Sequence, residues 1–391
     1  MSRIYFDWAA TAPPDPEILK AVQQFSHDYP GNPSSLHREG KAAREKLEEC
    51  RGKTAELLGA SPEQIIFTSG GTESNNLILQ SLITPLKPGG VLLSGFEHPA
   101  VWQSAQALRE QGHRVIEVSA PEGGILDPAA AVGSLTREVK MISIMAVNNE
   151  TGAIQPVKEL ARAFRETRKD GPAVLFHTDA VQALGKIPVN LGEWGVDAAS
   201  FSGHKIGAPR GTGILYLKKP RKMLYRGGGQ EGGFRSGTEN LAGIYGLTLA
   251  LEKRLASAEE DTAAARELKK ILVEGINEIP GSRIFPSAVS SLGAPYSPWI
   301  LSVSFPPLPG EVLARVMDDN GVALSTGSAC SSRKKNQARV LLAQGVDERR
   351  AFSTLRFSWG PGSTPEEAHR VVEVLKEQTA LLGRFQGPGR R

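Results

Sequence analysis

The chain has 391 residues, 40% hydrophobic and 23% charged, with a formal net charge of +4. That length exceeds one ordinary core and predicts two domains, with the charge balance of a globular protein. The mild basic excess is spread along the chain, which argues against a nucleic-acid partner, and no run of roughly 18 apolar residues is present to span a membrane.

Two cysteines, Cys50 and Cys330, make no disulfide framework, and the first residues carry no apolar signal core. A reducing, cytoplasmic setting is expected. The seven histidines and two cysteines show no metal-ligand spacing, so no metal is expected.

Short β-rich runs at 65–68, 91–94, 115–118, 141–147 and 174–177 alternate with helical stretches at 73–83, 101–111 and 157–169. The last carries Val157, Leu160, Ala161 and Phe164 at helical spacing. The alternation predicts an α/β fold with a mainly parallel sheet, helices on both faces, and a ligand site beyond the carboxyl ends of the strands. A strand at 211–217 follows, then a glycine-rich loop at 227–237 and a long helical region at 240–279 with a domain boundary near 255. Strands at 300–305 and 322–325 and a helix at 365–382 predict a smaller α+β domain.

Motifs fall at the ends of the apolar runs. Ser69-Gly70-Gly71-Thr72-Glu73 lies between a strand and a helix, where glycines and free N–H groups suit a phosphate or an ordinary capped helix start. Asp179, in His177-Thr178-Asp179-Ala180, closes one strand run, and Lys205, in Ser202-Gly203-His204-Lys205, follows another. A lysine and an acid at the ends of neighbouring strands suit a pyridoxal-phosphate site, the lysine as Schiff base and the acid on the pyridine nitrogen. Asp179 equally suits a helix cap before Ala180, and His98 alone suits a structural role. Gly227-Gly228-Gly229-Gln230-Glu231-Gly232 has GxGxxG form but leads into Phe234-Arg235-Ser236, not an apolar helix; a loop near a ligand or subunit boundary fits it better. Cys330 sits in a small, polar segment with Arg333, Lys334 and Lys335, which favour a thiolate, whereas Cys50 on a charged helix has no such setting.

Taken together, these motifs resemble the NifS/IscS-type cysteine desulfurases, within the class V aminotransferase family of fold-type I pyridoxal-phosphate enzymes. The resemblance runs nearly end to end, through Tyr5 to Thr11, Gly31 to His37, Ser69 to Asn75, Glu97-His98, Val147 to Gly152, His177 to Gln182, Ser200 to Lys205, Arg235 to Thr238, Gly327 to Cys330 and Leu355 to Ser358. It implies a large cofactor domain at 15–255 with a mainly parallel seven-stranded sheet. A small domain, at 1–14 and 256–391, carries the Cys330 loop.

The resemblance also implies roles. Lys205 is the Schiff-base lysine, His98 stacks on the ring and assists proton transfer, Asp179 pairs with the pyridine nitrogen, and Gln182 contacts the ring hydroxyl. Gly71, Thr72, Ser202 and His204 hold the phosphate, joined by Thr238 from the second subunit of a homodimer. Asn149 contacts cofactor and substrate, and Arg356 clamps the carboxylate of L-cysteine. Cys330 takes the sulfur as a persulfide, leaving L-alanine, and passes it to an acceptor or scaffold protein for iron–sulfur clusters or thiolation. Ala146 stands where many relatives have histidine, and the tail from Phe385 does not resemble the scaffold-docking ends of housekeeping members. Two other readings are a selenocysteine lyase or other class V enzyme, and an inactive scaffold. Cys330 discriminates the desulfurase from the first of these, since transamination has no need of it, and Lys205, His98, Asp179 and Cys330 together argue against the second.

Overall fold

The structure is a computed structural model that describes residues 3–83, 87–121, 123–169, 171, 173–287, 295–326 and 338–385. A two-residue strand, β1 (Ile4–Tyr5), opens the chain. The main sheet is then built from β2 (Ile65–Thr68), β3 (Gly90–Ser94), β4 (Arg114–Val118), β5 (Val139–Ser143), β6 (Leu175–Asp179), β7 (Ala198–Ser202) and β8 (Gly213–Leu217). Their order is β2-β8-β7-β6-β5-β3-β4. Only β8 runs against its neighbours in this seven-stranded sheet.

Strands β3, β6, β7 and β8 are buried along their whole length, as strands covered by helices on both faces must be. Strand β4, on the sheet edge, is only partly covered, with Arg114 and Glu117 exposed. The predicted run 141–147 leaves regular strand geometry after Ser143. Its backbone still donates from Ile144 to His177 and from Ala146 to Asp179, so it tracks β6 to the rim. The helix Val157–Thr167 buries Val157, Leu160, Ala161 and Phe164, the stripe its spacing predicted.

The region 240–279 is two helices, Leu241–Ala256 and Ala258–Asn277. They break at Ser257, whose hydroxyl bonds back to Lys253 O and forward to Asp261. This local competition with the backbone is typical of serine. The helices Pro16–Asp28 and Arg38–Leu58 complete the cover of the sheet.

A second core forms around β9 (Arg283–Phe285), β10 (Ile300–Ser304) and β12 (Thr354–Ser358), an antiparallel sheet ordered β12-β10-β9, while β11 (Val322–Ala323) pairs in parallel with β1. Phe6, Leu272, Trp299, Leu301, Val303, Met317, Phe357, Trp359 and Leu375 fill it. The N-terminal segment joins this core, and an Asp7–Ser358 bridge then carries it toward the main sheet. Among the described residues no helix is long and apolar enough to cross a membrane.

The glycine-rich loop is pinned to the sheet edge. Arg51 Nη1 and Nη2 meet the two oxygens of Glu231 at 2.7 and 2.9 Å, and Glu231 also accepts from Phe67 N in β2. Arg51 and Glu231 are 8% and 7% exposed, so each needs the other to offset desolvation. Glu231 holds φ 48, a strained value for a side chain, and this pairing keeps it there. Replacing Glu231 by Leu is therefore expected to cost about 3–5 kcal/mol by removing the buried carboxylate that takes both Nη groups of Arg51, leaving it only the exposed Glu48 and the Ile65 carbonyl. Urea unfolding should show that loss, with much of it recovered in the double variant Arg51→Met/Glu231→Leu.

Candidate active site

The carboxyl ends of β2, β6 and β7, with the loops after β3 and β5, converge on a cavity of about 380 Å³. Gly71, Thr72, His98, Asn149, Asp179, Gln182, Ser202, His204, Lys205 and Arg356 all line it. Thr238 is exposed and does not line this chain's cavity. Cys330 lies outside the described residues. A groove of about 870 Å³ lies under the Gly228–Gly232 loop, but its buried Arg51 and Glu231 satisfy each other.

One end of the cavity suits an anion. The helix Gly71–Gln80 begins without a side-chain cap, so its first N–H groups stay available and its positive dipole end faces the cavity. Two glycines are required by space here. A Cβ on Gly71 would stand 2.5 Å from Val181, and one on Gly213 would stand 2.5 Å from the Cα of Gly70. The turn can lie on the sheet only because β8 starts with glycine. Ser202, His204 and Thr72 add polar groups around it. His204 bonds Thr11 through Nδ1 at 3.0 Å, and burial, with Lys205 and Lys186 nearby, pushes its pKa down to about 4.

Asp179 is held deeper. Oδ2 accepts from Asn75 Nδ2 at 2.7 Å and Oδ1 from Val181 N at 3.1 Å. The residues after it form turns, so Asp179 caps no helix. His98 does cap one: Nδ1 accepts from Ala100 N, which puts the neutral ring's proton on Nε2. Burial holds the His98 pKa below the usual histidine value, against the pull of Asp179. Lys205, in the turn after β7, donates to Ala9 O and Ala10 O, each at 2.6 Å. Gln182 donates to the same Ala9 O at 2.9 Å.

Across the cavity, Arg356 in β12 donates to Asn149 O at 3.0 Å and pairs with Asp7 at 2.8 Å. The second core thus delivers its arginine to a site built by the first. Asn149 Oδ1 and Asn75 Oδ1 are buried without hydrogen-bond partners. An anion cradle, an oriented carboxylate, a lysine at the strand end and these two orphan acceptors fit pyridoxal phosphate.

Three cavity-related residues escaped sequence reasoning. Glu97 is fully buried, accepts from Ser94 Oγ and Met145 N, and has its pKa raised to about 8 by burial, with Asp179 adding to the rise. Glu150 lines the cavity, and burial raises it to about 7. Arg339 donates to Gly95 O and Glu97 O and stacks over Trp102. Glu97 and Glu150 adjoin His98 and Asn149 in motifs visible in the sequence, but nothing there marks them as buried. Arg339 has no sequence signal.

The chain matches the aminotransferase class-V family over residues 4–371. It is 36% identical over 377 residues to a cysteine desulfurase IscS of Dictyoglomus turgidum, across 95% of this chain and 93% of that protein. The solved structure of a NifS-like protein superposes with a TM-score of 0.88 at 35% identity, covering 97% of this chain and 100% of the other. That of SspA in complex with cysteine superposes with a TM-score of 0.79 at 29% identity, covering 92% and 99%.

The raised Glu97 pKa has a consequence for stability. A carboxyl whose folded pKa of about 8 exceeds its reference of 4.5 adds stability that is full below pH 4.5 and lost as pH rises through about 8. Relative to the wild type, Glu97→Gln is expected to lose less melting temperature between pH 5 and pH 8. Parallel melting curves of the two proteins across that range check this.

Proposed function

The chain belongs to the aminotransferase class-V family, and from that premise we propose that it is a pyridoxal-phosphate-dependent cysteine desulfurase converting L-cysteine to L-alanine. One observation carries the reading: Lys205, His98, Asp179 and Arg356, drawn from both cores, face a single cavity with an uncapped helix start.

Bound pyridoxal phosphate supplies an electron sink that makes the substrate α-carbon acidic. Lys205 holds it through the amine. Asp179, fixed by Asn75 and Val181, keeps a positive partner at the ring nitrogen. With the group bound, neutral His98 would lie against it and assist proton transfer through Nε2, and Gln182 would contact the ring hydroxyl. Gly71, Thr72, Ser202 and His204 would hold the phosphate, with Thr238 contributed by a second copy of the chain.

Arg356 binds the substrate carboxylate, and Asn149 orients the bound molecule. The Cys330 thiolate then attacks the substrate sulfur. The S–S bond forms as the C–S bond breaks, the electron pair stays with carbon, and a proton completes alanine. Cys330 carries the persulfide to an acceptor or scaffold protein, for iron–sulfur clusters or thiolation in the cytoplasm. In this reading residues 15–255 form the cofactor domain, and 1–14 with 256–391 form the domain that supplies Arg356 and Cys330.

Incubation with L-cysteine and reductant should release alanine and sulfide in equal amounts; pyruvate with ammonia would overturn the assignment. Cys330→Ser should abolish sulfide release while the visible band of the cofactor persists, and Lys205→Ala should lose the band. Arg356→Lys removes a forked clamp worth about 1.5–3 kcal/mol, so kcat/KM should fall roughly 10- to 150-fold. Steady-state kinetics on L-cysteine would measure it.

A further inference from the structure

Behind the cavity wall lies a buried amine that the mechanism above does not use. Lys186 is 5% exposed, and its Nζ donates to Gln182 Oε1 at 2.5 Å. Gln182 is 3% exposed, and its Nε2 donates to Ala9 O at 2.9 Å. Turning the amide over would set oxygen against the Ala9 carbonyl, losing that bond, and would replace the short Nζ–Oε1 contact by amide NH2 against the lysine amine. Lys186 is itself held in place: its carbonyl accepts from Trp299 Nε1, and Trp299 stacks under Arg254.

We propose that Lys186 is a positioning residue that locks the Gln182 amide with its NH2 toward the cofactor, so that one N–H serves Ala9 O and the other the ring hydroxyl oxygen. This rests on the reading of Gln182 given under Proposed function. Burial, with Lys205, Arg254 and Arg356 nearby, pushes the Lys186 pKa well below its ordinary value. Arg254 and Arg356 are in turn paired with Asp261 and Asp7. A neutral amine still donates to Oε1 and adds no full charge behind the ring.

The test follows the cofactor's visible absorption band against pH in holoenzyme variants. Removing an N–H donor from an oxygen that carries negative charge makes the nearby proton harder to lose, so the midpoint should rise. Lys186→Met keeps the side-chain volume, and its folding is checked by melting curves. It should raise the midpoint by about one pH unit, a tenfold change in proton affinity. Gln182→Leu should raise it at least as far, and adding Lys186→Met to Gln182→Leu should change nothing further. A wild-type midpoint in Lys186→Met, or an equal shift in both backgrounds, would overturn the proposal while leaving the role of Gln182 intact. A wild-type midpoint in Gln182→Leu would instead overturn the reading of Gln182, and this proposal with it. Should Lys186→Met not fold, Lys186→Ala replaces it with the same expected rise, and a wild-type midpoint there, with Gln182→Leu still shifted, overturns the proposal.

Discussion

The hydrogen bond from Asn75 to Asp179 ties together the two halves of the cofactor site. Asn75 sits on the helix whose open start forms the anion cradle, and Asp179 ends the central strand β6. Their 2.7 Å contact sets how far the cradle stands from the carboxylate. The contact requires the helix to lie close to the sheet, and that closeness requires glycine at positions 71 and 213. Both Asp179 oxygens are satisfied, one by Asn75 and one by Val181 N, so the buried carboxyl group keeps a fixed orientation inside the fold.

Around this carboxyl group, burial drives titratable groups toward their neutral forms. His177, between Ser143 and Ser200, is pushed down to about 3. His204 and His98 are lowered, and Glu97 and Glu150 are raised. Groups of opposite sign stand at defined points of the cavity: Asp179 at the end of β6, and Arg356, steadied by Asp7, from β12. In a low-dielectric cavity, few and oriented charges act more strongly than many screened ones. Cys50 fits the same logic from the other side. It is buried, its thiol is pushed up to about 11, and it has the character of a small apolar core residue.

Much of the fold was legible because the parallel strands are short apolar runs separated by amphipathic helices. The run ending at Asp179 and the stripe Val157, Leu160, Ala161 and Phe164 are plain in the sequence. Boundaries were less legible. The run 141–147 reads as one strand, yet its second half leaves the ladder to reach the rim, and the helical region at 240–279 hides a break at Ser257. Of the site, residues in compact motifs were legible, Lys205 and Asp179 above all. Glu97, Glu150, Arg339 and Lys186 were not, because each draws its character from burial and from partners distant in the chain.

The sequence by itself determined the class of fold, the cofactor chemistry and the family, since these reside in local patterns: strand-end motifs, glycines before a helix, a lysine after a strand. Tertiary structure alone decided which groups face one another. It set Arg356 from the second core across from Asp179, put Glu97 out of reach of water, and stacked Lys186 behind Gln182. The reason is physical. A side chain's type is a local property, but its charge state and hydrogen-bond direction depend on desolvation and on neighbours that only the folded chain brings within a few ångströms.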